Sequence, residues 1–148
     1  MKISSKGRYG VAAMISLSKS FENNEYITII SIAEKLGISK IYLEQVFSLL
    51  KRANLVTSIK GAQGGYQLSK SPDDITAFDI LSAIETSLFE KTDASVSNNA
   101  INIEKSMNLL IWDKLDEAVS TLLSSITLNE LANEADKYTE VTDIMFYI

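Results

Sequence analysis

The sequence predicts a mainly α-helical fold that carries one small β-hairpin, and three stretches of the chain predict it. Residues 31–51 repeat apolar side chains at helical spacing in two short segments that meet at Gly37. Residues 56–69 read as two short strands around a glycine-rich centre. Residues 103–125 place apolar side chains at steps of three and four, which is typical of one long helix.

Residues 31–51 have the spacing of a helix-turn-helix. Small Ala33 suits a close crossing of two helices, and Gly37 suits a turn with positive φ. Thr28 is placed to cap the first of these helices and Ser39 the second. Because a major groove of DNA admits one helix, polar side chains near the start of the second helix could reach base edges. The candidate DNA-binding residues are Ser39, Lys40, Tyr42, Glu44 and Gln45. Capping alone would also explain Ser39.

A hairpin is expected directly after this second helix. Its strand candidates are residues 56–60 and 66–69, joined by five residues that include three glycines. A hairpin in this place is the wing of a winged helix-turn-helix, and we expect its tip to lie along or in the minor groove. A plain structural hairpin is the alternative. The candidate wing contacts are Lys60, Gly61, Gln63, Gly64 and Gly65.

A first helix is expected over residues 4–21, and three cations crowd its start. Lys2, Lys6 and Arg8 lie where the helix dipole disfavours positive charge. DNA phosphates would offset this mismatch by binding both the cations and the free backbone N–H groups. A solvated basic tail is the alternative.

The charge of the chain is divided unevenly between its halves. The net charge is −5, yet residues 1–75 carry ten basic and six acidic side chains, whereas residues 76–148 carry four and thirteen. Contact with phosphate needs local cations rather than a basic whole. The distribution therefore agrees with DNA binding by the first half.

The chain contains neither cysteine nor histidine. This excludes disulfides, thiolate-held iron–sulfur clusters, Cys/His zinc sites and catalysis by Ser-His or Cys-His pairs. Glu85 with Asp79, or Lys91, have no orienting partner that the sequence shows, so we expect no enzyme, no cofactor and no metal. No apolar run approaches a membrane span and the N-terminus lacks a signal-peptide core, which favours a cytoplasmic protein without membrane contact.

The second half is expected to form a dimer. We divide the chain into a DNA-binding domain at 1–85, a flexible loop at 86–102, and a dimerisation helix with its tail at 103–148. A capping box at Thr76 opens the helix that closes the first domain, and a second at Thr127 opens a short last helix through about residue 136. The apolar tail, residues 144–148, is expected to dock on the body or on a partner.

The long helix is too apolar for so small a domain to cover, so a second copy across a two-fold axis would bury it. Packing on the chain's own first domain is the alternative. The candidate interface residues are Met107, Ile111, Leu115, Ala118 and Leu122.

Several ordered stretches resemble one bacterial family. MKISSKGRYG, YLEQVFSLLKRANLV, SIKGAQGGYQL and ITAFDILSAIE follow one another as in the Rrf-two-type winged helix-turn-helix regulators. That family includes iron–sulfur-cluster, nitric-oxide and cysteine-metabolism regulators. The likeness covers residues 1–85, the long helix and residues 125–128. The opening MKIS and the ending at 145–148 are most similar to the cysteine-metabolism repressor branch, which lacks the cluster.

The resemblance implies a homodimeric repressor that crosses at the long helix and presents two recognition helices to a pseudo-palindrome. By matching position, Tyr42, Glu44 and Gln45 would contact bases. Gln45 suits adenine N6/N7, and Glu44 can accept from cytosine N4. Lys60 stands where relatives commonly carry an arginine, so the charge is kept but the bidentate fork is lost.

Cluster-binding relatives carry three cysteines in the loop at 86–102, and this chain has none. Regulation would then come from a small ligand, from a protein corepressor such as a cysteine-synthesis enzyme, or from abundance alone. An adaptor that binds protein rather than DNA through its winged helix is the competing function.

Overall fold

The computed structural model describes residues 2–61 and 64–146, with side chains described through residue 139. The predicted fold class is confirmed: the chain is mostly helical, with one antiparallel hairpin. The elements in order are α1 (Ser5–Ser18), α2 (Ile29–Leu36), α3 (Lys40–Arg52), β1 (Val56–Ile59), β2 (Gly65–Leu68), a 3-10 turn (Pro72–Asp74), α4 (Ala77–Ile84), a 3-10 turn (Asn98–Ala100), α5 (Ile101–Met107), a π-helical turn (Asn108–Trp112), α6 (Asp113–Ser124) and α7 (Leu128–Phe146).

The helix-turn-helix forms for the reasons that the sequence indicated. The Thr28 hydroxyl accepts the backbone N–H of Ser31 at 3.1 Å and so caps α2. Gly37 ends α2 with φ of 67°, a left-handed conformation that a Cβ would strain. The Ser39 hydroxyl accepts the N–H of Tyr42 at 3.2 Å and caps α3. All three predictions are confirmed.

One hydrophobic core joins the first helix, the helix-turn-helix and the hairpin. Met14 and Leu17 of α1 are buried against Phe47 of α3. The hairpin packs on the same core, because the ring of Tyr66 lies 4.6 Å from that of Phe47, centroid to centroid. Burial of this kind of side chain contributes about 1.5–3 kcal/mol each. The core thereby fixes the hairpin directly beside α3.

The hairpin is anchored at its base by a third piece of extended chain. Strands β1 and β2 pair antiparallel from Val56 opposite Leu68 to Ile59 opposite Gly65. Tyr66 also exchanges two backbone hydrogen bonds of 2.8 Å with Ile27, which precedes α2. A Cβ on Gly65 would lie 3.0 Å from the carbonyl of Ile27, and its φ is 143°. Only glycine fits there without strain.

Residues 101–124 form a nearly continuous helix with a wider turn inside it. It begins at Ile101, two residues before the predicted start, and ends at Ser124. A π-helical turn, Asn108–Trp112, divides it into α5 and α6. Helix α6 packs on α4, and the ring of Phe89 lies 4.6 Å from that of Phe78.

The prediction that the last helix is short and ends near residue 136 is wrong. Helix α7 extends to Phe146, because residues 137–146 contain no glycine or proline that would end it. Its start matches the prediction, with Thr127 and Glu130 forming a capping box. The side chains of the apolar tail, residues 144–148, lie outside the described residues, so the docking of that tail stays a prediction.

Helix α7 packs back on α1, and its first residue belongs to the hydrophobic core that joins α1, the helix-turn-helix and the hairpin. Leu128 is fully buried. Its N–H donates to the carbonyl of Ile75 at 2.8 Å, and the N–H of Ala77 donates to the carbonyl of Ile126 at 2.9 Å.

The division of the chain at residues 85 and 102 stays a prediction. In the part of the chain that the structure describes, no helix is long and apolar enough to cross a membrane.

Candidate nucleic-acid interface

Helix α3 has a buried face and an outward face. Its buried residues are Leu43, Val46, Phe47 and Leu50. At about 100° of rotation for each residue, the positions opposite to them are occupied by four other side chains. These are Ile41, Gln45, Ser48 and Arg52, all exposed. The outward face therefore begins in the first turn of α3 and includes one residue predicted from the sequence, Gln45.

One flank of α3 meets the start of α1. The ring of Tyr42 packs edge-on against that of Tyr9, with centroids 5.2 Å apart. The ammonium of Lys6 lies 5.9 Å from the Tyr42 ring centroid, which is a cation–π distance. A cleft of about 210 Å³ opens between these elements, lined by Ser5, Tyr9 and the turn from Gly37 to Tyr42. The structure thus brings Lys6, Ser39 and Tyr42 together.

The other flank of α3 meets the hairpin. The Lys40 ammonium lies 3.7 Å from the Glu44 carboxylate, one helical turn further on. A groove of about 350 Å³ separates these two side chains from Gly61, Gly64 and Gly65 of the hairpin. The ion pair is half exposed at both ends, so it stabilises the helix by only a few tenths of a kcal/mol. Both side chains are therefore free to exchange partners.

A side-chain hydrogen bond outside the shared core also holds the hairpin against α3. The ammonium of Lys51, near the end of α3, donates to the hydroxyl of Ser58 in β1 at 2.6 Å. Lys60 follows β1 and is exposed, and it makes no ion pair with any residue in 2–61 or 64–139. Gly61 has φ of 145° with open space around it. Gln63 lies outside the described residues, so its predicted DNA contact stays untested.

The start of α1 has an anionic partner that the sequence did not predict. The Glu85 carboxylate accepts the N–H of Ser4 at 2.8 Å. It therefore supplies part of the negative charge that the dipole of α1 favours. Lys2 and Arg8 are exposed, and the guanidinium of Arg8 donates to Ser5 at 3.1 Å. Both cations are therefore accessible to solvent at the start of α1.

Two glycines of α1 allow the end of α4 to approach closely. A Cβ on Gly7 would lie 2.5 Å from the Glu85 carboxylate oxygen, and one on Gly10 would meet the side chain of Ile84, so either side chain would have to shift. The spacing of these two glycines on a predicted helix was a signal that another helix approaches closely there. It could not show which residue would arrive.

The helix α5–α6 exposes apolar side chains over most of its length. Leu122 is 60% exposed, and Ile111 and Leu115 are 48% exposed each. Ala118 is exposed and Met107 is half-buried. Leu109 and Leu110, which the sequence analysis did not assign to the interface, are exposed as well. Only part of this surface is covered by the chain's own first domain.

Comparison with known proteins identifies the family. The model of the family described as "Rrf2: Iron-dependent Transcriptional regulator" matches residues 3–134. The chain belongs to the Rrf2 family. It is 39% identical to the HTH-type transcriptional regulator CymR of Bacillus subtilis strain 168 over the full length of both chains. It is 35% identical to IscR of Klebsiella pneumoniae strain 342 over 136 residues, which are 92% of this chain and 82% of that one.

Solved structures of Rrf2 regulators have the same fold. The structure of CymR (YrzC), named as the global cysteine regulator of B. subtilis, superposes with a TM-score of 0.74 at 38% identity, over 90% of this chain and 98% of that one. The T. potens IscR structure superposes with a TM-score of 0.71 at 36% identity, over 93% and 90%. This protein is a transcriptional regulator of the CymR and IscR type.

The iron in the family's description does not fit the residues of this chain. The chain has no cysteine or histidine, which are the residues that hold iron–sulfur clusters in proteins. In the described part of the chain, no three carboxylates lie close enough to hold a metal ion. The Glu104 carboxylate, 7% exposed, instead accepts the N–H groups of Ser95 and Val96 at 3.0 and 3.2 Å. A carboxylate thereby anchors the loop that precedes α5; the flexibility of that loop stays a prediction.

The carboxylates considered for catalysis have structural roles. Asp79 accepts the N–H of Thr76 at 2.9 Å as part of the capping box of α4. Glu85 accepts the N–H of Ser4. Lys91 is exposed in the loop after α4.

Proposed function

We propose that this regulator is a homodimeric repressor that reads a pseudo-palindromic DNA operator. The outward face of α3, with the hairpin on one flank and the start of α1 on the other, supports this proposal most directly. A helix placed in this way enters the major groove with its first turns towards the base edges. The hairpin then reaches the adjacent minor groove or its phosphates.

The base contacts that we propose come from α3. Gln45 on the outward face can bond adenine N6 and N7 together, and Glu44 can accept from cytosine N4 when it leaves Lys40. Tyr42 is held by Tyr9, so it can contact only the edge of the groove on the α1 side. Ser39 and Lys40 would contact phosphate at the start of α3.

The phosphate contacts that we propose lie on both sides of α3. Lys6 lies next to Tyr42, and Lys2 and Arg8 are near it in the chain. Lys60, with Gly61, Gln63, Gly64 and Gly65, would follow the backbone on the wing side. These cations belong to the basic half of the chain, which is where counterion release would provide affinity.

The dimer is proposed from the exposed surface of α5–α6. Isolated soluble chains rarely leave several large apolar side chains exposed along one helix, and a second copy would cover them. Met107, Ile111, Leu115, Ala118 and Leu122 form the centre of the proposed interface. A two-fold axis there would present two α3 helices to half-sites on one face of the duplex.

The regulated genes are proposed from the relative that matches over the full chain. CymR is named as a global cysteine regulator, so we propose that this protein controls genes of cysteine or sulfur metabolism in the cytoplasm. It would do so without a cluster, through a small ligand, a protein corepressor or its own abundance. We propose no enzymatic activity.

Selection of bound fragments from genomic DNA tests the proposal. Protein immobilised through a C-terminal tag is incubated with sheared genomic DNA, and retained fragments are sequenced and tested by mobility shift. The expected result is a small set of promoters that share a two-fold motif and resist random competitor DNA. If random competitor displaces every fragment equally, the protein is not a sequence-specific regulator. The adaptor function would then be favoured.

A further inference from the structure

Ile41 is an apolar residue in an unusual place. At 71% exposure, it is the most exposed large hydrophobic side chain in the described part of the chain. It lies in the first turn of α3, between Lys40 and Tyr42, where the neighbouring outward residues are polar. The chain's own core does not need it, because Leu43 and Val46 already fill the buried face. Ile41 therefore lies, with its side chain exposed, on the face of α3 that the proposed function directs towards the major groove.

The helical position of Ile41 ties it to Gln45. The two residues are four apart on α3, so they share the outward face with their Cβ atoms about 5–6 Å apart. Successive base pairs are about 3.4 Å apart along the duplex. If Gln45 reads one base pair, Ile41 addresses a base pair one or two steps away on the same groove floor.

The major groove offers few groups that an isoleucine can contact favourably. Nitrogen and oxygen donors and acceptors line it, and the C5-methyl of thymine is its apolar group. We propose that Ile41 packs against a thymine methyl beside the base pair that Gln45 reads, and that it is a specificity-determining residue of the operator. This inference rests on the proposed function, and it adds a requirement for thymine that the polar side chains alone would not impose.

Replacement of thymine by deoxyuridine tests the inference, because it removes the methyl and leaves every hydrogen-bonding group in place. Each thymine of one half-site of a duplex recovered by the genomic selection is replaced in turn. Binding is measured by fluorescence anisotropy with the full-length protein. We expect one position at which the dissociation constant rises about fourfold, which corresponds to the loss of one buried methyl.

The variant Ile41→Ala identifies the side chain responsible. Because Ile41 is exposed, the variant should fold, which circular dichroism checks. It should bind the thymine and deoxyuridine duplexes equally well. The matched control is Ile101→Ala, which removes an isoleucine that is 50% exposed at the start of α5, outside the candidate DNA interface, and should keep the fourfold preference.

The outcomes separate this inference from the proposed function. If the wild-type protein binds the selected duplex but no deoxyuridine position matters, the inference alone is refuted. It is also refuted if Ile41→Ala keeps the preference for thymine. If no duplex is bound selectively, the proposed function fails and the inference fails with it.

Discussion

Removal of the Lys60 ammonium should weaken DNA binding without changing its sequence preference. Lys60 follows strand β1 directly, is exposed, and has no ion pair within the described residues. Its charge is therefore available to DNA phosphate. A phosphate contact positions the protein but carries no sequence information. Lys60→Ala should accordingly lower the affinity for the operator and for unrelated duplex by the same factor.

The magnitude follows from counterion release. Each lost phosphate contact reduces the slope of log affinity against log salt by about 0.9, so a dimer that loses two contacts should show a slope smaller by about 1.8. Between about 50 and 200 mM salt, the wild-type protein should therefore lose about twelvefold more affinity than the variant. Lys105→Ala is the matched control, because it removes an exposed lysine on α5 that is not among the residues proposed to contact DNA.

Fluorescence anisotropy titrations at several salt concentrations measure the affinity and its salt slope, with the operator and with a scrambled duplex of equal length. Gln45→Ala is the complementary variant. It should reduce the free-energy preference for the operator over the scrambled duplex by about 1–3 kcal/mol for each half-site, which is about 2–6 kcal/mol for the dimer, while leaving the salt slope unchanged. A Lys60→Ala slope equal to that of the wild-type protein would refute the phosphate contact. A loss of sequence preference in Lys60→Ala equal to that of Gln45→Ala would refute the division of roles.

Three further predictions concern the cap, the core and the dimer. Ser39→Ala should lower the free energy of unfolding by about 1 kcal/mol, whereas Ser39→Asp should retain the cap. Ser39→Asp should also weaken DNA binding, because its carboxylate would repel a phosphate near this cap; unchanged affinity would place the phosphate elsewhere. Leu128→Ala should cost about 3 kcal/mol in urea unfolding at fixed protein concentration, and a loss below 1 kcal/mol would contradict its place in the core. Leu122→Asp should convert the dimer to a monomer in sedimentation velocity, while Ser124→Asp, at the opposite helical position, should not; dimers in both variants would place the interface elsewhere.

The local parts of this fold were predictable from sequence. A cap joins a side chain to a backbone N–H only three residues away, so Thr28, Ser39 and Thr76 could each be assigned without knowledge of the rest of the chain. Gly37 marked the turn for the same reason, because its positive φ is a property of one residue. The order of helices and hairpin followed from these signals.

Contacts between distant residues were not predictable. The bond from the Ser4 N–H to Glu85 joins positions 81 apart, and nothing near either residue indicates the other. Glu104, in the predicted long helix, anchors Ser95 and Val96, which lie in a segment whose composition indicated only a loop. In both cases a carboxylate that looked solvated has its place set by tertiary packing.

The candidate site was predicted in its polar members and missed in Ile41. The base-reading residues predicted from the sequence are polar, and the apolar residues of the same helix are assigned to the core. The positions of Leu43 and Val46 on a helical projection already place Ile41 on the opposite face. A test of each apolar residue against the helical projection would have found it.

The central claim is that two copies of the chain hold two recognition helices against one duplex, and sedimentation equilibrium of the free protein and of its operator complex tests it most directly. We expect twice the chain mass for the free protein across the micromolar range, and two chains on each operator duplex. A single chain in solution, and a single chain on the duplex at saturation, would contradict it.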